Sequence, residues 1–438
     1  MEDGAMTRRE LMKEMVAAFR QDCKEIFDAV GEAEAGQALG EKIEFEVRRQ
    51  ALRRYAQVWQ AAVTFRGKEW QRRAAPVCGC GARMRMVRRM PKQVMSILGE
   101  LRFERRHYYC DSCGASRWPF DEAMGLVGGW TAGAIRLTTR AGIRESFTEA
   151  STSLKELAEM HVSRHTVRRI TEGVAKEVAA AQDAARLVGE ESGRSFSEDA
   201  RAYVTMDGTM VNTLGGWREV KLGSLYDQSK ALQHYAATLE PAAAFGLRLR
   251  QHAIGLRFGR AGEKIAGGDG AEWIWNQMRI NFPTVDDEFL DVYHLGEHVY
   301  DAAKTLYGEG NAKGQRWARD KLRIAKEQGG HALVKTLEHS RRQQKKRAAR
   351  DALDNLLGYL RNHVNRMAYP ELRERGIDIG TGPQESACKN VIGRRLKGSG
   401  MRWALPNLEG MARLRALLYS TSSWDAFWSQ RKMRRRAG

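Results

Sequence analysis

Two aspartates, each followed by glycine, end two short apolar runs of the sequence. Asp207 closes the run 202–207, and Asp269 closes the run 264–269. If both runs are strands, their carboxylates meet at one edge of a sheet, and Glu385 at the start of a predicted helix adds a third. Carboxylate oxygens are the ligands that Mg²⁺ prefers, and two such ions can support phosphodiester chemistry. Asp-Gly is also common in ordinary turns, so the order of the flanking strands is what favours a metal site.

Two polar residues near these carboxylates, Lys389 and His294, have two interpretations each. Lys389 follows Glu385 by four residues, so both project from one helix face. The pair either holds a DNA phosphate beside the metal or is a surface ion pair. Asp291 and His294 follow the fifth predicted strand. His294 is either a hydrogen-bonded core histidine or a metal ligand.

Four of the six cysteines form two close pairs, Cys78 with Cys80 and Cys110 with Cys113. A strand-like stretch separates the pairs, which is typical of a zinc ribbon, because structural zinc takes four soft ligands in a closed tetrahedral site. Buried free thiols are the alternative. Six cysteines in a chain this long do not make a disulfide scaffold, so we expect a reducing cytoplasm.

Composition predicts a folded protein with an anionic partner. The chain has 438 residues, of which 42% are hydrophobic, and 73 Lys and Arg against 54 Asp and Glu give a formal net charge of +19. Such an excess predicts attraction to a polyanion, although some soluble proteins are basic without one. We expect no membrane association, because no run of about 18 apolar residues exists and the first residues lack the apolar core of a signal peptide.

Two helical regions precede the aspartates. Residues 1–75 have apolar residues at helical spacing and form either a structural arm or a dimerisation or DNA-clamping element. Residues 150–182 read as two short helices, with Ser163 as the N-cap of the second. Helix-turn-helix folds place such a second helix in the major groove. The predicted inner residues are Leu154, Leu157, Ala158, Val167 and Ile170, and the predicted outward DNA-binding residues are Arg164, His165, Arg168 and Arg169.

The aspartates themselves lie in an α/β pattern. The predicted strands are 202–207, 217–226, 234–239, 264–269 and 288–291, with helices beginning at Pro241 and Ala271. Three antiparallel strands followed by alternating helices and strands are typical of a ribonuclease-H-like fold. Residues 295–375 are predicted to be helical and include the basic run Arg341–Arg347, which either binds DNA phosphates or is a solvated helix face.

At these residues the chain resembles the ISKra-type insertion-sequence transposases, a family related to the Mutator-like superfamily. The resemblance covers about residues 75–430, and the block that begins at Gly382 is its most specific part. It rests on Cys110-Asp-Ser-Cys113, Met206-Asp207-Gly208-Thr209, Gly268-Asp269-Gly270-Ala271-Glu272-Trp273-Ile274-Trp275, Asp291-Val-Tyr-His294, Gly382-Pro-Gln-Glu385-Ser-Ala-Cys388-Lys389, Arg394, Lys397 and Ser399-Gly400-Met401-Arg402-Trp403.

The resemblance implies Asp207, Asp269 and Glu385 as a DDE catalytic triad, with Asp291 and His294 as the superfamily's Asp-x-x-His signature. It also implies an all-helical insertion between the second Asp and the Glu. The implied substrates are the element's terminal inverted repeats and a target DNA. Within the matching block we assign Arg394, Lys397 and Arg402 to DNA binding. Two departures from the family pattern are a first cysteine pair one residue short and the small residues 266–267, which predict a loosely packed fourth strand.

We therefore expect a bacterial, nucleoid-associated transposase that uses two Mg²⁺ or Mn²⁺ ions and one structural zinc. It would act on double-stranded DNA as a homodimer or higher oligomer. A non-catalytic zinc-containing DNA-binding regulator and a metal-dependent hydrolase of small molecules are the alternatives. The expected organisation is a helical region (1–75), a zinc-ribbon-like module (76–125), a helix-turn-helix region (126–195), the first part of the core (200–294), the helical insertion (295–375), the last part of the core (376–430) and a loose basic tail (431–438).

Overall fold

The computed structural model describes residues 7–31, 39–71, 75–184 and 195–437. The chain divides into two compact units, Met1–Thr171 with Trp428–Gly438, and Glu172–Phe427. Both helices and sheets are present, so the chain is a mixed α/β protein. Within the described ranges, no helix is both long enough and apolar enough to cross a membrane.

The first unit contains helices and a small antiparallel sheet of order β1-β2-β3. Arg54 of the second helix pairs with both carboxylate oxygens of Asp22 in the first, at 2.6 Å each. The elements are α1 (Arg8–Gly31), α2 (Leu39–Gln71), β1 (Arg85–Ser96), β2 (Gly99–Tyr109), β3 (Ser116–Arg117), α3 (Pro119–Met124), α4 (Ala132–Arg144), α5 (Phe147–Ala158) and the beginning of α6 (Arg164–Asp183).

The predicted pair of helices over 150–182 corresponds to α5 and α6. The side chain of Ser163 accepts a hydrogen bond from the backbone N–H of Thr166 at 3.3 Å, which confirms the predicted N-cap. Val167 and Ile170 are buried as predicted. Leu157 is not an inner residue: it is 74% exposed, because α5 packs through Ala150 and Leu154 one turn earlier.

The second unit is built on a five-stranded sheet of order β6-β5-β4-β7-β8. Strands β4, β5 and β6 pair antiparallel, while β7 pairs parallel with both β4 and β8. The sheet and its intervening helices are β4 (Arg201–Thr213), β5 (Gly216–Asp227), β6 (Gln233–Thr238), α7 (Ala242–Gly255), β7 (Glu263–Gly268), α8 (Glu272–Asn281) and β8 (Asp287–Leu290).

The sheet is buried on both faces. Phe245 and Leu249 of α7 pack with Met278 of α8 against one face. The other face is covered by segments from the end of the chain, through residues such as Ile392 and Leu408. A sheet covered on both sides keeps water from most of its surface, so polar groups between the layers need protein partners.

Strand β7, which is the fourth of the predicted strands, is tightly packed, whereas its small residues predicted loose packing. A Cβ added at Gly267 would lie 2.2 Å from the ring of Phe289, and one at Gly268 would lie 2.9 Å from Ile274. Neighbouring large side chains therefore fill the space that the two glycines leave. The small residues are required by close packing and do not loosen the strand.

Residues 295–375 are largely helical, as predicted, and form their own core around residues such as Leu333 and Leu357. The segment 431–438, predicted to be a loose tail, is helical as far as Ala437. Its Arg, Lys, Met and Ala residues are good helix formers, and no Pro or Gly interrupts them. The remaining helices are α9 (Val292–Tyr307), α10 (Ala312–Gln343), α11 (Arg347–His363), α12 (Tyr369–Glu374), α13 (Gly382–Ala387), α14 (Arg394–Leu396), α15 (Leu405–Tyr419) and α16 (Ser423–Ala437), with a π-helical turn over Cys388–Gly393 between α13 and α14.

Candidate functional site

The parallel pairing of β4 and β7 brings two of the three predicted carboxylates to the same level. Thr205 pairs with Gly267, and Asp207 and Asp269 each follow two residues later. Asp269 directly follows β7, as predicted. Asp207 does not end its strand, because β5 continues to pair with β4 as far as Thr213 and keeps the backbone extended.

Asp207 is held from two sides. Its Oδ1 accepts a hydrogen bond from the backbone N–H of Gly208 at 2.6 Å, and its Oδ2 accepts one from the thiol of Cys388 at 3.1 Å. Burial raises the pKa of Asp207, and nearby Asp269 adds to this, while the two hydrogen bonds act against it. A bound cation would stabilise the ionised carboxylate and reverse that shift.

Asp269 lies in a turn covered by an aromatic side chain. Its Oδ1 accepts a hydrogen bond from the backbone N–H of Ala271 at 2.8 Å. A Cβ added at Gly270 would lie 2.2 Å from the ring of Tyr359, so the glycine of this Asp-Gly pair is required by the contact with α11. The Tyr359 ring also stacks on His298 at 3.9 Å. Burial, with Asp269 as the next contribution, raises the pKa of Tyr359 above its usual range.

A buried amide fixes α13 against the sheet. The Oε1 of Gln384 accepts hydrogen bonds from the hydroxyls of Thr205 at 3.0 Å and Ser224 at 2.5 Å, and its Nε2 donates to the carbonyl oxygen of Leu222 at 2.8 Å. Gln384 is only 2% exposed. The adjacent Glu385 is exposed, on the side of the helix away from this contact.

Sequence reasoning missed roles for Gln384 and Cys388, although both stand in the block that carries the resemblance. Their spacing of four residues places them on one helix face, and that face contacts β4 and β5. A polar residue one turn before a cysteine, next to a candidate catalytic Glu, was the available signal. This spacing alone does not reveal that the helix face packs on the sheet, because the position of the sheet is not encoded in it.

Asp291 acts as a structural link. Its Oδ1 caps α9 by accepting from the backbone N–H of Tyr293 at 2.7 Å, and its Oδ2 accepts from both the backbone N–H and the hydroxyl of Thr381. Asp291 thereby ties β8 and α9 to the segment just before α13. His294 is partly exposed, with its Nδ1 3.2 Å from a carboxylate oxygen of Glu297.

The predicted cations after Glu385 lie on the surface. Lys389, Arg394, Lys397 and Arg402 are all exposed. Lys397 reaches back to β4, where its Nζ lies 2.5 Å from the hydroxyl oxygen of Thr209, two residues after Asp207. Within the described part of the chain, Lys389 forms no ion pair with Glu385, so the surface ion pair considered from the sequence is not formed.

The three carboxylates are not gathered into one ligand set. Across residues 7–31, 39–71, 75–184 and 195–437, one group of three or more His, Cys, Asp or Glu residues has its ligand atoms within 4.8 Å of one another, and it is the cysteine group. Asp207 and Asp269 supply hard oxygen donors at one level of the sheet, which suits Mg²⁺. Glu385 completes the donor set only if its side chain turns towards them.

The four cysteines, by contrast, lie together. The Sγ atoms of Cys78 and Cys113 are 3.4 Å apart, and those of Cys80 and Cys110 are 3.6 Å apart. These values approach the sulfur–sulfur distance of about 3.8 Å that tetrahedral zinc with bonds of about 2.3 Å requires. The group could therefore bind a metal such as zinc, and the short spacing of the first pair does not prevent it.

Two turns position these sulfurs. The backbone N–H of Gly81 donates to the carbonyl oxygen of Cys78, and that of Gly114 donates to Cys110, both at 2.9 Å. Gly81 and Gly114 have φ values of +88° and +74°, a conformation that favours glycine. The backbone N–H of Cys113 lowers the pKa of Cys110 to about 6, so one thiolate is available near neutral pH.

The outward residues of α6 are arranged as predicted. Arg164, His165, Arg168 and Arg169 are exposed on the face opposite Val167 and Ile170.

No protein-family model and no curated protein matches this chain. The case for a function therefore depends on the residues and their geometry.

Proposed function

We propose that this chain is a DDE-type DNA transposase that binds the terminal inverted repeats of an insertion sequence and catalyses strand cleavage and strand transfer. The observation that carries the proposal is the level placement of Asp207 and Asp269 on the parallel pair β4 and β7. Burial raises the pKa of Asp207, whereas its two hydrogen bonds and the nearby His294 lower it. A divalent cation held by the two aspartates would stabilise the ionised carboxylate further.

The sheet supports a ribonuclease-H-like core. Three antiparallel strands are followed by two strands parallel to the first, in the order β6-β5-β4-β7-β8. Three antiparallel strands followed by alternating helices and strands are the order that the sequence predicts for such a core. Asp207 lies within β4 and Asp269 directly follows β7, and these are the two aspartates that the resemblance assigns to the catalytic triad.

Asp207 and Asp269 would hold Mg²⁺ or Mn²⁺, with Glu385 as the third ligand. Two such ions, when bound, activate the attacking oxygen and stabilise the leaving oxygen of a phosphodiester. Gln384 of α13 and Cys388 of the following turn hold this segment against the strands of Asp207, and the exposed side chain of Glu385 would have to turn towards the aspartates to join them. Lys397, beside Thr209, is suited to a phosphate of the bound strand.

DNA recognition would be divided between the first unit and the surface of the second. The exposed arginines of α6 suit base edges and phosphates, since Arg can form bidentate contacts with guanine. The zinc-ribbon-like module would be a structural support for this binding. Arg394 and Arg402, which are both exposed, would contact the strand being cut.

A non-catalytic DNA-binding regulator is the second candidate, and the exposed Glu385 is the observation that favours it. A regulator needs the cysteine group and α6 but does not need the carboxylates to meet. A small-molecule hydrolase gains no support from the described residues.

The deciding experiment is a cleavage assay with purified protein, Mg²⁺ and the end sequences of its own element. Specific nicks at those ends, lost when Mg²⁺ is omitted, are expected of a transposase. Specific binding to the same ends without cleavage, in Mg²⁺ and in Mn²⁺, would instead support the regulator.

A further inference from the structure

One end of the β1–β2 ribbon has no buried face on β1. The five residues Arg85–Arg89 are all exposed, whereas Val94 further along the same strand is fully buried. A strand that packs on a core normally buries every second residue. This half of β1 therefore does not serve the core, and its side chains are available to another molecule.

The ribbon carries a strong positive charge. Residues 83–109 contain eight Lys and Arg against two Glu. Nearby carboxylates are engaged by other arginines of the same unit: Asp111 by Arg85, Asp121 by Arg105, Glu122 by Arg117 and Glu100 by Arg102. Among the described side chains, Arg83, Arg88 and Arg89 have no carboxylate partner.

Two of the arginines oppose each other across the strands. Arg89 pairs in register with Arg106, and like charges directly opposite in a sheet are destabilising. An ordinary solvated strand would avoid this pairing by placing a carboxylate or a neutral residue at one of the positions. An anion bound between the strands would relieve the repulsion. The like-charged pair therefore distinguishes the ribbon from a surface that only contacts solvent.

The shape of the ribbon indicates which anion. The register shift between Met86 and Arg88 is an irregularity of the bulge type, and bulges increase strand twist. Met86 and Val87 are 45% and 40% exposed among the arginines, so the surface combines charge with apolar contacts. A twisted two-stranded ribbon fits the major groove of B-form DNA, where phosphates line both sides.

We propose that the β1–β2 ribbon, through Arg83, Arg88, Arg89 and Arg106, is a second DNA-binding surface that contacts the phosphates flanking a major groove of duplex DNA. It lies beside the cysteine group, which holds the end of the hairpin through Cys110. The proposal goes beyond the transposase function. It needs neither the carboxylates nor cleavage, so it can succeed or fail independently of them.

The test compares two double variants of the full, zinc-loaded chain in binding to a labelled duplex without Mg²⁺. Arg88→Gln/Arg89→Gln should lower the slope of log affinity against log salt by about 1.8, since each lost phosphate contact removes about 0.9. Affinity near 0.1 M salt should fall by roughly 60-fold, because a slope change of about 1.8 acts over the one decade of salt below 1 M. The matched control Arg316→Gln/Arg319→Gln removes the same charge from exposed positions of α10.

An unchanged slope in Arg88→Gln/Arg89→Gln would overturn the proposal, as would an equal loss in the α10 control, which would indicate a general effect of net charge. Arg88→Lys/Arg89→Lys keeps the charge and should keep the slope. Zinc content and far-ultraviolet circular dichroism identify a misfolded variant. If the Gln variant is misfolded, Arg83→Gln, outside β1, replaces it with an expected slope change of about 0.9.

An RNA duplex of the same sequence separates groove binding from simple attraction to phosphates. The major groove of A-form RNA is too narrow for a ribbon. We expect weaker binding to RNA, with little dependence on Arg88 and Arg89. An equal loss of affinity for both duplexes would overturn the groove geometry.

Discussion

The two candidate metal sites differ in how their ligands are brought together. The cysteine group takes its four sulfurs from two turns at the base of one hairpin, and they already lie within 4.8 Å of one another. The carboxylate site takes Asp207 and Asp269 from neighbouring strands and Glu385 from a distant helix, and Glu385 is exposed. The first is complete in the folded chain, and the second is incomplete in it.

The ligand chemistry accounts for this difference. Four thiols of which one is ionised carry little charge and can pack together without a metal, whereas ionised carboxylates repel one another in a partly buried site. A structural site gains from a closed set of ligands, while a catalytic site must leave positions open for water or substrate. We conclude that preassembly marks the structural site and that incomplete assembly is compatible with a catalytic one.

The largest expected effect tests the carboxylate side of the comparison. Asp207→Asn or Asp269→Asn keeps the shape of each side chain but removes the charge that would hold Mg²⁺ under the proposed function. Cleavage should fall by a factor on the order of a thousand or more, with binding to the end sequences nearly unchanged. Asp320→Asn, an exposed change in α10, is the control. Near-normal cleavage by either site variant in a gel assay would remove it from the catalytic set.

The next effect tests the cysteine group, whose ligand atoms already lie together. Cys110→Ser should abolish zinc binding and lower the thermal midpoint of the first unit, because binding of structural zinc contributes directly to folding. Cys23→Ser, which changes a cysteine outside the group, should retain the zinc and the midpoint. Elemental analysis with calorimetry measures both. A folded wild-type protein that contains no zinc would contradict the assignment.

A smaller effect tests whether Gln384 positions α13, the helix that carries Glu385, beside Asp207. Gln384→Leu removes one amide and leaves two hydroxyls and a carbonyl without their partner. We expect the second unit to lose about 3 kcal/mol of stability, at about 1–3 kcal/mol for each unsatisfied buried group, with partial relief by relaxation. The Mg²⁺ concentration for half-maximal cleavage should rise, because α13 is no longer fixed beside Asp207.

The control for this change is Gln277→Leu, which removes another buried glutamine from the opposite layer of the same unit. It should reduce stability without changing the Mg²⁺ requirement. If both variants shift that requirement equally, the effect belongs to stability and not to positioning.

The last effect changes stability alone and separates the two units by pH. His234 and His252 are buried together, with Nε2 and Nδ1 2.7 Å apart, and burial lowers the pKa of His234 from 6.5 to about 4. The unfolded chain therefore binds more protons between these values. Stability is fully present above pH 6.5 and is lost as the pH falls towards 4, by about 3 kcal/mol for this histidine.

His234→Gln should reduce that decline in the second unit while leaving the acid sensitivity of the first unit unchanged. Thermal scans from neutral to acidic pH, with zinc release followed separately, provide the measurement. A wild-type second unit whose stability does not change over this range would contradict the prediction.

The sequence predicted the order of strands and helices well, because hydrophobic periodicity and proline positions are local signals. Pro241 precedes α7, and Ser163 caps α6, as expected. The end of β4 was wrong, because Asp207-Gly208 resembles a turn locally and only the pairing with β5 keeps the strand extended. Leu157 was assigned to the inner face because periodicity indicates an apolar stripe without indicating which part of it has a partner.

The candidate site was predictable in its residue types but not in its contacts. The Gln384 hydrogen bonds and the thiol on Asp207 join segments far apart in the chain, and no periodic pattern encodes them. The packing of Tyr359 on Gly270 likewise gives a tertiary reason for a glycine that the sequence offered as a turn residue. Such contacts depend on which layers meet, which follows from the fold and not from local spacing.

The π-helical turn at Cys388–Gly393 constrains how the length of this segment can vary. A π turn accommodates one residue more than an α-helical turn of the same rise, so deleting one residue here would let a regular helix form. The segments before and after the turn would keep their alignment, so Gln384 could stay docked and Lys397 could stay beside Thr209. The same deletion in the regular helix α13 would rotate everything after it by roughly 100°, one residue's share of a turn. The cost of a deletion within the turn would fall on the buried guanidinium of Arg415, which donates to the carbonyl oxygens of Asn390 and Val391 there. Natural variants of this protein should therefore lose one residue within the turn more readily than within α13.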